Sequence, residues 1–183
     1  MIMKKNVWIA IALVVAVFSF SSCGTQQSAT QPTSRPVTTD TVVSVEPIKD
    51  VISIAEALDM FLNPDKTATI TKKYGYKLKT NYEVYRLDKF TKMYYKNCAL
   101  AKLLTADKYE DYPKPMRKGV SSYIAFKDGA MIIAVFNQPA YDNLVAQVKA
   151  AGFTLDMPGN EDIYKKGNRT IACYKDGKSV RIE

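Results

Sequence analysis

The sequence predicts an α+β fold: a helix followed by an antiparallel meander, built twice, with the helices packed on one face of an antiparallel sheet. Three observations carry this. Apolar residues recur at helical spacing over residues 54–62 and 141–151, and strand-like runs follow each segment. Asp128-Gly129 and Asp176-Gly177 sit between apolar runs, and Asp-Gly is a strong hairpin signal. The chain of 183 residues is 47% hydrophobic and 24% charged, a globular balance that excludes a disordered, collagen-like or multi-span membrane protein. The length allows one domain, or two small ones sharing a sheet.

At the amino terminus, Lys4 and Lys5 precede a nearly unbroken apolar run over residues 7–20. A membrane span needs about 20 apolar residues, so this run fits the core of a secretory signal. Phe20-Ser21-Ser22-Cys23-Gly24 follows and resembles the lipobox of bacterial lipoproteins, in the variant form found in Bacteroidetes. The resemblance implies a signal peptide over 1–22, removed before Cys23, and diacylglycerol and an acyl chain (palmitate or similar) on that cysteine. It also implies anchoring in the outer membrane, since two or three acyl chains hold stably where one is marginal. The segment after Cys23 is uncharged. Surface-exported lipoproteins of that group carry acids there, so the periplasmic face is the expected one.

Residues 23–50 read as the lipidated cysteine plus a Ser-, Thr-, Pro- and Gln-rich tether without helical or strand period. Asp40-Thr41-Val42 resembles the O-glycosylation sequon of Bacteroidetes, which would place a glycan on Thr41; an ordinary tether is the alternative.

The folded domain spans 51–183. Ser53 and Glu56 form a capping box for a helix bearing Ile54, Ala57, Leu58, Phe61 and Leu62. Pro64 ends or kinks it, or opens a second helix at its first position. Residues 67–74 continue as helix until Gly75. Tyr76, Leu78, Val84, Tyr85 and Leu87 read as strand, Asp88-Lys89 as a turn, and 91–100 as a tyrosine-rich strand. Pro139 and residues 141–151 form a helix with Tyr141, Leu144, Val145 and Val148 on one face, ended by Gly152, with Phe153 and Leu155 as strand beyond. Aligning 85–97 with 164–176, an offset of 79, superposes Tyr, Thr and Tyr-Lys positions. Repeats of about 51–104 and 137–183 follow from this, joined by an irregular loop over 105–119 and a hairpin of residues 123–136 whose second run is apolar enough for a central strand. The element order resembles the tandem-repeat fold of the beta-lactamase inhibitor protein family, which implies an architecture and binding through a sheet face, but no functional residue.

Chemistry is sparse. The chain has no histidine, which removes Ser-His-Asp and Cys-His nucleophile systems and His-ligated metals. No catalytic set, metal site or cofactor motif is present. Glu110-Asp111, Asp156 and Glu161-Asp162 read as solvated loop charge. Cys98 and Cys173 either bridge, as an exported compartment permits, or stand as two buried thiols. Charge is the strongest surface signal. The net formal charge is +8, and residues 51–183 hold 22 Lys and Arg against 15 Asp and Glu. Basic residues neighbour tyrosines at Lys72, Lys73, Lys77 and Lys79 with Tyr74 and Tyr76, at Lys92 and Lys96 with Tyr94 and Tyr95, and at Lys165, Lys166, Arg169 and Lys175 with Tyr164 and Tyr174. The candidate binding surface is therefore Tyr76, Lys92, Tyr94, Tyr95, Lys96, Tyr164, Arg169 and Tyr174. An exposed sheet face with protective lysines is the plainer account. The function expected is a non-catalytic envelope lipoprotein that binds a protein, as an inhibitor does; the alternative is a binding module for an anionic glycan or lipopolysaccharide. Nucleic acid is excluded by compartment.

Overall fold

Ser53 opens the first helix as its sequence suggests: its hydroxyl accepts from the Glu56 amide at 3.2 Å and donates to the Glu56 carboxylate at 3.0 Å. The structure, a computed structural model, describes residues 44–84, 88–100, 103–105, 108–109, 113–116 and 119–183. Cys23 and Thr41 lie outside these residues. Helix α1 (Ile54–Leu62) leads into a 3-10 turn (Pro64–Lys66) with Pro64 at its first position, then α2 (Thr67–Lys73). Strands β1 (Lys77–Val84) and β2 (Asp88–Lys96) follow, then short β3 (Cys98–Ala99), β4 (Leu103–Thr105), β5 (Lys108–Tyr109) and β6 (Lys114–Pro115). The remainder is β7 (Ser122–Lys127), β8 (Ala130–Val135), α3 (Gln138–Ala150), β9 (Thr154–Met157), β10 (Glu161–Lys166), β11 (Arg169–Tyr174) and β12 (Ser179–Ile182). Both α2 and α3 end before glycines in the left-handed region, Gly75 at φ +74° and Gly152 at +83°.

Eight strands form one antiparallel sheet in the order β1-β2-β7-β8-β12-β11-β10-β9. Each half is a helix followed by a four-stranded meander running from sheet edge to sheet centre, and the halves meet at β8 and β12, where Ile133 faces Val180. Asp128 and Gly129 both have positive φ, +50° and +79°, which makes the β7–β8 connection a tight hairpin whose twist suits the strands. β8 is central, as its apolar run requires.

The alternation of β8 and β12 sends Met131, Ile133, Val135, Val180 and Ile182 under the helices, into one core with Ile54, Ala57 and Met60 of α1 and Ala140, Leu144 and Val148 of α3. Burying each such side chain contributes roughly 1.5–3 kcal/mol. A smaller cluster, Tyr82, Phe90, Met93 and Ala125, lies on the opposite face. Tyr82 stacks on its direct cross-strand partner Phe90 with ring centroids 6.4 Å apart, next to Asn81 in the left-handed region at φ +48°.

Four sequence expectations are corrected. The hairpin of residues 123–136 is not a connector between copies: β7 pairs with β2, so it completes the first meander and the first unit extends to Val135. By position in the meander β2 corresponds to β10, whereas the offset of 79 lays it on β11. Successive hairpins of one meander have similar patterns, so a one-strand slip preserves the match. The turn expected at Asp88-Lys89 is already strand, with Asp88 opposite Val84; Tyr85 and Leu87 lie outside the described residues. The expected loop over 105–119 contains β6, paired with β3, while β5 pairs with β4.

The tether boundary also moves. Residues 46–50 pack onto the domain instead of belonging to a free linker. Asn143 of α3 donates to the Glu46 carbonyl at 2.9 Å and accepts from the Ile48 amide at 3.2 Å, and Lys96 pairs with Asp50 at 2.8 Å. Asn143 thus grips the main chain as a neighbouring strand would, a contact no local pattern reveals.

Candidate functional site

The helices cover one face of the sheet; among the described residues the other face carries no helix, and on it Phe90, Met93, Ala125, Ala134 and Ala172 are buried while Lys77, Lys79 and Tyr174 are exposed, so that it is the more open face. Directly opposed residues of antiparallel strands share a face, so the register defines two rows across the open face. One runs Lys77, Tyr95, Tyr123, Ala134, Ser179, Tyr174, Glu161; the other runs Lys79, Met93, Ala125, Ile132, Arg181, Ala172, Ile163. Six steps at about 4.8 Å make each row roughly 29 Å long. The first row runs from Lys77 through Tyr95 and Tyr123 to the acidic Glu161, and the second from Lys79 through Met93, Ala125 and Ile132 to Ile163.

Near the middle, Phe90, Tyr123, Phe136 and Tyr174 line a groove of about 420 Å³ together with Ile132, Ala134, Ser179 and Pro113. The Tyr123 and Phe136 rings meet edge to face at 6.2 Å. Tyr174 is 36% exposed, and its ring lies over Gly177, where an added Cβ would stand 2.5 Å from a ring carbon. Gly177 therefore sets the position of that wall.

Ion pairs gather towards the β9 end of the sheet. Arg181 donates to Glu161 at 2.9 Å and approaches Glu183 at 3.1 Å through Nε, whose alignment is too poor for a hydrogen bond. Lys165 pairs with Asp156 at 2.8 Å. Lys77 and Lys79 belong to none of the ion pairs found among the described residues. They border a second groove of about 480 Å³ with Tyr82, Tyr95 and Leu100.

Of the residues the sequence singled out, Tyr95 and Tyr174 reach the open face. Tyr76, Tyr94 and Tyr164 do not: all three are buried in the core beneath the helices. The Tyr76 hydroxyl bonds Ser122 Oγ at 2.7 Å, and burial pushes its pKa up to about 12; burial also raises Tyr94, whose ring packs edge to face on Phe126. Lys96 is committed to Asp50, whose carboxyl it holds below the usual range by hydrogen bond and charge. Lys92 and Arg169 line separate grooves on the helix-bearing side, the first with Met60 and Phe126, the second with Leu58 and Phe153. Tyrosine suits a strand whichever face it takes, so adjacency of Tyr and Lys in sequence mixed the two faces.

Cys98 and Cys173 are free and buried. β7, β8 and β12 lie between β2, which Cys98 follows, and β11, which carries Cys173; four steps are roughly 19 Å, far beyond the reach of a disulfide. Burial raises the two thiols to about 11 and about 12. The carboxylates separate as well: Glu161 meets Arg181, Asp156 meets Lys165, and Asp162 accepts from the Gly159 amide at 3.2 Å. Glu110 and Asp111 lie outside the described residues. Among the described residues no group of three Cys, Asp or Glu is placed to hold a metal ion, and no helix is long and apolar enough to cross a membrane.

Sequence reasoning missed Phe90, Tyr123, Ile132, Phe136 and Arg181. Period-two alternation would have set Tyr123 and Ala125 on one face of β7 and Ile132 and Ala134 on one face of β8, but not which face the helices cover.

The fold and site together define an α+β domain of two helix-meander units with one sheet face left open and rich in aromatic side chains. No family model, no curated protein and no solved structure matches the chain.

Proposed function

We propose that the protein is a lipid-anchored envelope protein, held by Cys23 in the outer membrane on its periplasmic side, and that its domain is a non-catalytic module that docks another protein on the open sheet face. The carrying observation is the asymmetry of the sheet. One face is closed by α1 and α3, while the other holds the aromatic groove between Tyr123, Phe136 and Tyr174. Rigid aromatic side chains on a sheet scaffold lose little conformational entropy on contact, which suits a binding hot spot. The Arg181 cluster, one guanidinium between the carboxylates of Glu161 and Glu183, adds paired polar groups to the same face. The resemblance in element order to the inhibitor family, which binds through a sheet face, points the same way.

A photo-crosslinking amino acid at Tyr123 or Tyr174, with Ala146 on the helix side as control, tests this in the native envelope. One discrete protein adduct from the open-face positions alone is the expected result. Equal adducts from both faces, or co-purified glycan or lipopolysaccharide with no stoichiometric protein, would refute it in favour of an anionic-glycan module. The anchor has its own test: Cys23→Ala moves the protein to the soluble fraction, and retention in the membrane would overturn lipidation.

A further inference from the structure

We infer that the edge strand β1 receives an extended acidic segment of the partner protein, which adds to the sheet beside Lys77–Thr80 and places acidic side chains on Lys77 and Lys79. This rests on the reading of the open face as a protein-docking surface and specifies where and by what chemistry docking begins.

β1 is at the end of the sheet and, among the described residues, pairs only with β2. All four residues Lys77, Leu78, Lys79 and Thr80 are exposed. The outward backbone N–H and C=O groups of such an edge are complementary to another extended chain. Lys77 and Lys79 are two positions apart, so both side chains leave the same face about 7 Å apart. That is the spacing of alternate residues on an added strand, where opposite charges attract. Neither lysine has a carboxylate partner among the described residues, in contrast to Lys66, Lys73, Lys96 and Lys165.

The same lysines disfavour a second copy of this chain as occupant. An antiparallel register that sets residue 77 of one copy against residue 79 of the other crowds four lysines together, and the left-handed kink at Asn81 interrupts longer pairings. What remains is a short acidic strand of a different protein. From Lys77 on β1, the row through Tyr95 and Tyr123 leads to the aromatic groove.

The test uses the full-length acylated protein in detergent and a fluorescein-labelled peptide of alternating Glu and Val. Binding is read by anisotropy, and amide hydrogen exchange locates it. Protection at residues 77–80 is expected, with affinity about tenfold weaker for K77E/K79E, since opposed like charges replace attracting pairs. A peptide N-methylated at alternate residues should lose most binding, because it cannot complete the strand ladder. Unchanged affinity in K77E/K79E, or equal binding of the N-methylated peptide, would overturn the inference; the latter would indicate a charge-only contact such as an anionic glycan makes. If the peptide fails while photo-crosslinks at Tyr123 and Tyr174 still give one protein adduct, β1 addition is wrong and the docking surface stands. If both fail, both readings fall.

Discussion

Replacing Gln147 by Met tests how the chain segment entering the domain is held. Gln147 is 8% exposed on α3. Its carbonyl oxygen accepts from the Ile54 amide at 2.9 Å, satisfying a first-turn N–H of α1, and its amide donates to Asn143 at 2.7 Å. Asn143 in turn holds the backbone of Glu46 and Ile48. Met matches the side chain in length and helix preference but offers no such partner. The buried Ile54 N–H is then orphaned, at about 1–3 kcal/mol, and Asn143 loses the contact that orients it. A destabilisation of about 2–3 kcal/mol follows, or roughly 6–9 °C in thermal midpoint at about 3 °C per kcal/mol. Chemical denaturation and calorimetry would read it, with hydrogen exchange showing faster exchange at the Ile48 and Ile54 amides. Asn143→Ala should cost about 1 kcal/mol, and the two changes should couple by more than 0.5 kcal/mol in a double-mutant cycle. A Gln147→Met protein within 0.5 kcal/mol of the parent, with unaltered exchange, would refute the clamp.

Two further outcomes follow from ionisation. Burial would raise the Glu56 carboxyl, but hydrogen bonds from Lys73, Tyr74 and Ser53 and the Lys73 charge outweigh it and hold the group below its ordinary 4.5. A depressed carboxyl contributes stability above its unfolded value and loses it as pH falls, so Glu56→Gln should flatten the loss of stability between about pH 5 and pH 3; an identical acid limb in the variant would contradict this. Tyr76, raised to about 12, gives the opposite dependence: its contribution is present below pH 10 and is lost as pH rises towards 12. The buried thiols Cys98 and Cys173 should resist iodoacetamide at pH 8 in the native protein and both react after denaturation without reductant. Rapid native alkylation, or no free thiol in the denatured chain, would reject their assignment as inert core groups.

Local chemistry was legible wherever it acts over a few residues. Ser53 with Glu56, Gly75, Gly152 and Asp128-Gly129 each impose a backbone state on their own neighbourhood, and each sits where the sequence predicts. The site was less legible. Of eight proposed surface residues, Tyr95 and Tyr174 are on the open face, because a strand alternates its side chains and no pattern in Tyr94-Tyr95 states which neighbour meets the helices. The register across six strand pairs decides that, and Ile124, Met131, Ile133 and Tyr164 reach the core through partners far along the chain.

The sequence by itself determined the α+β class, the helix ends, the tight hairpin and the central place of β8, since capping, turn geometry and apolar runs are short-range effects. Tertiary structure alone decided that residues 123–136 belong to the first meander, that Asn143 clamps Glu46 and Ile48, that Cys98 and Cys173 stay apart, and that Lys77 and Lys79 lack carboxylate partners among the described residues. Each of those depends on which strands pair and which face the helices cover. Such contacts gain their free energy only when segments 20 to 100 residues apart meet, so no window of sequence contains them.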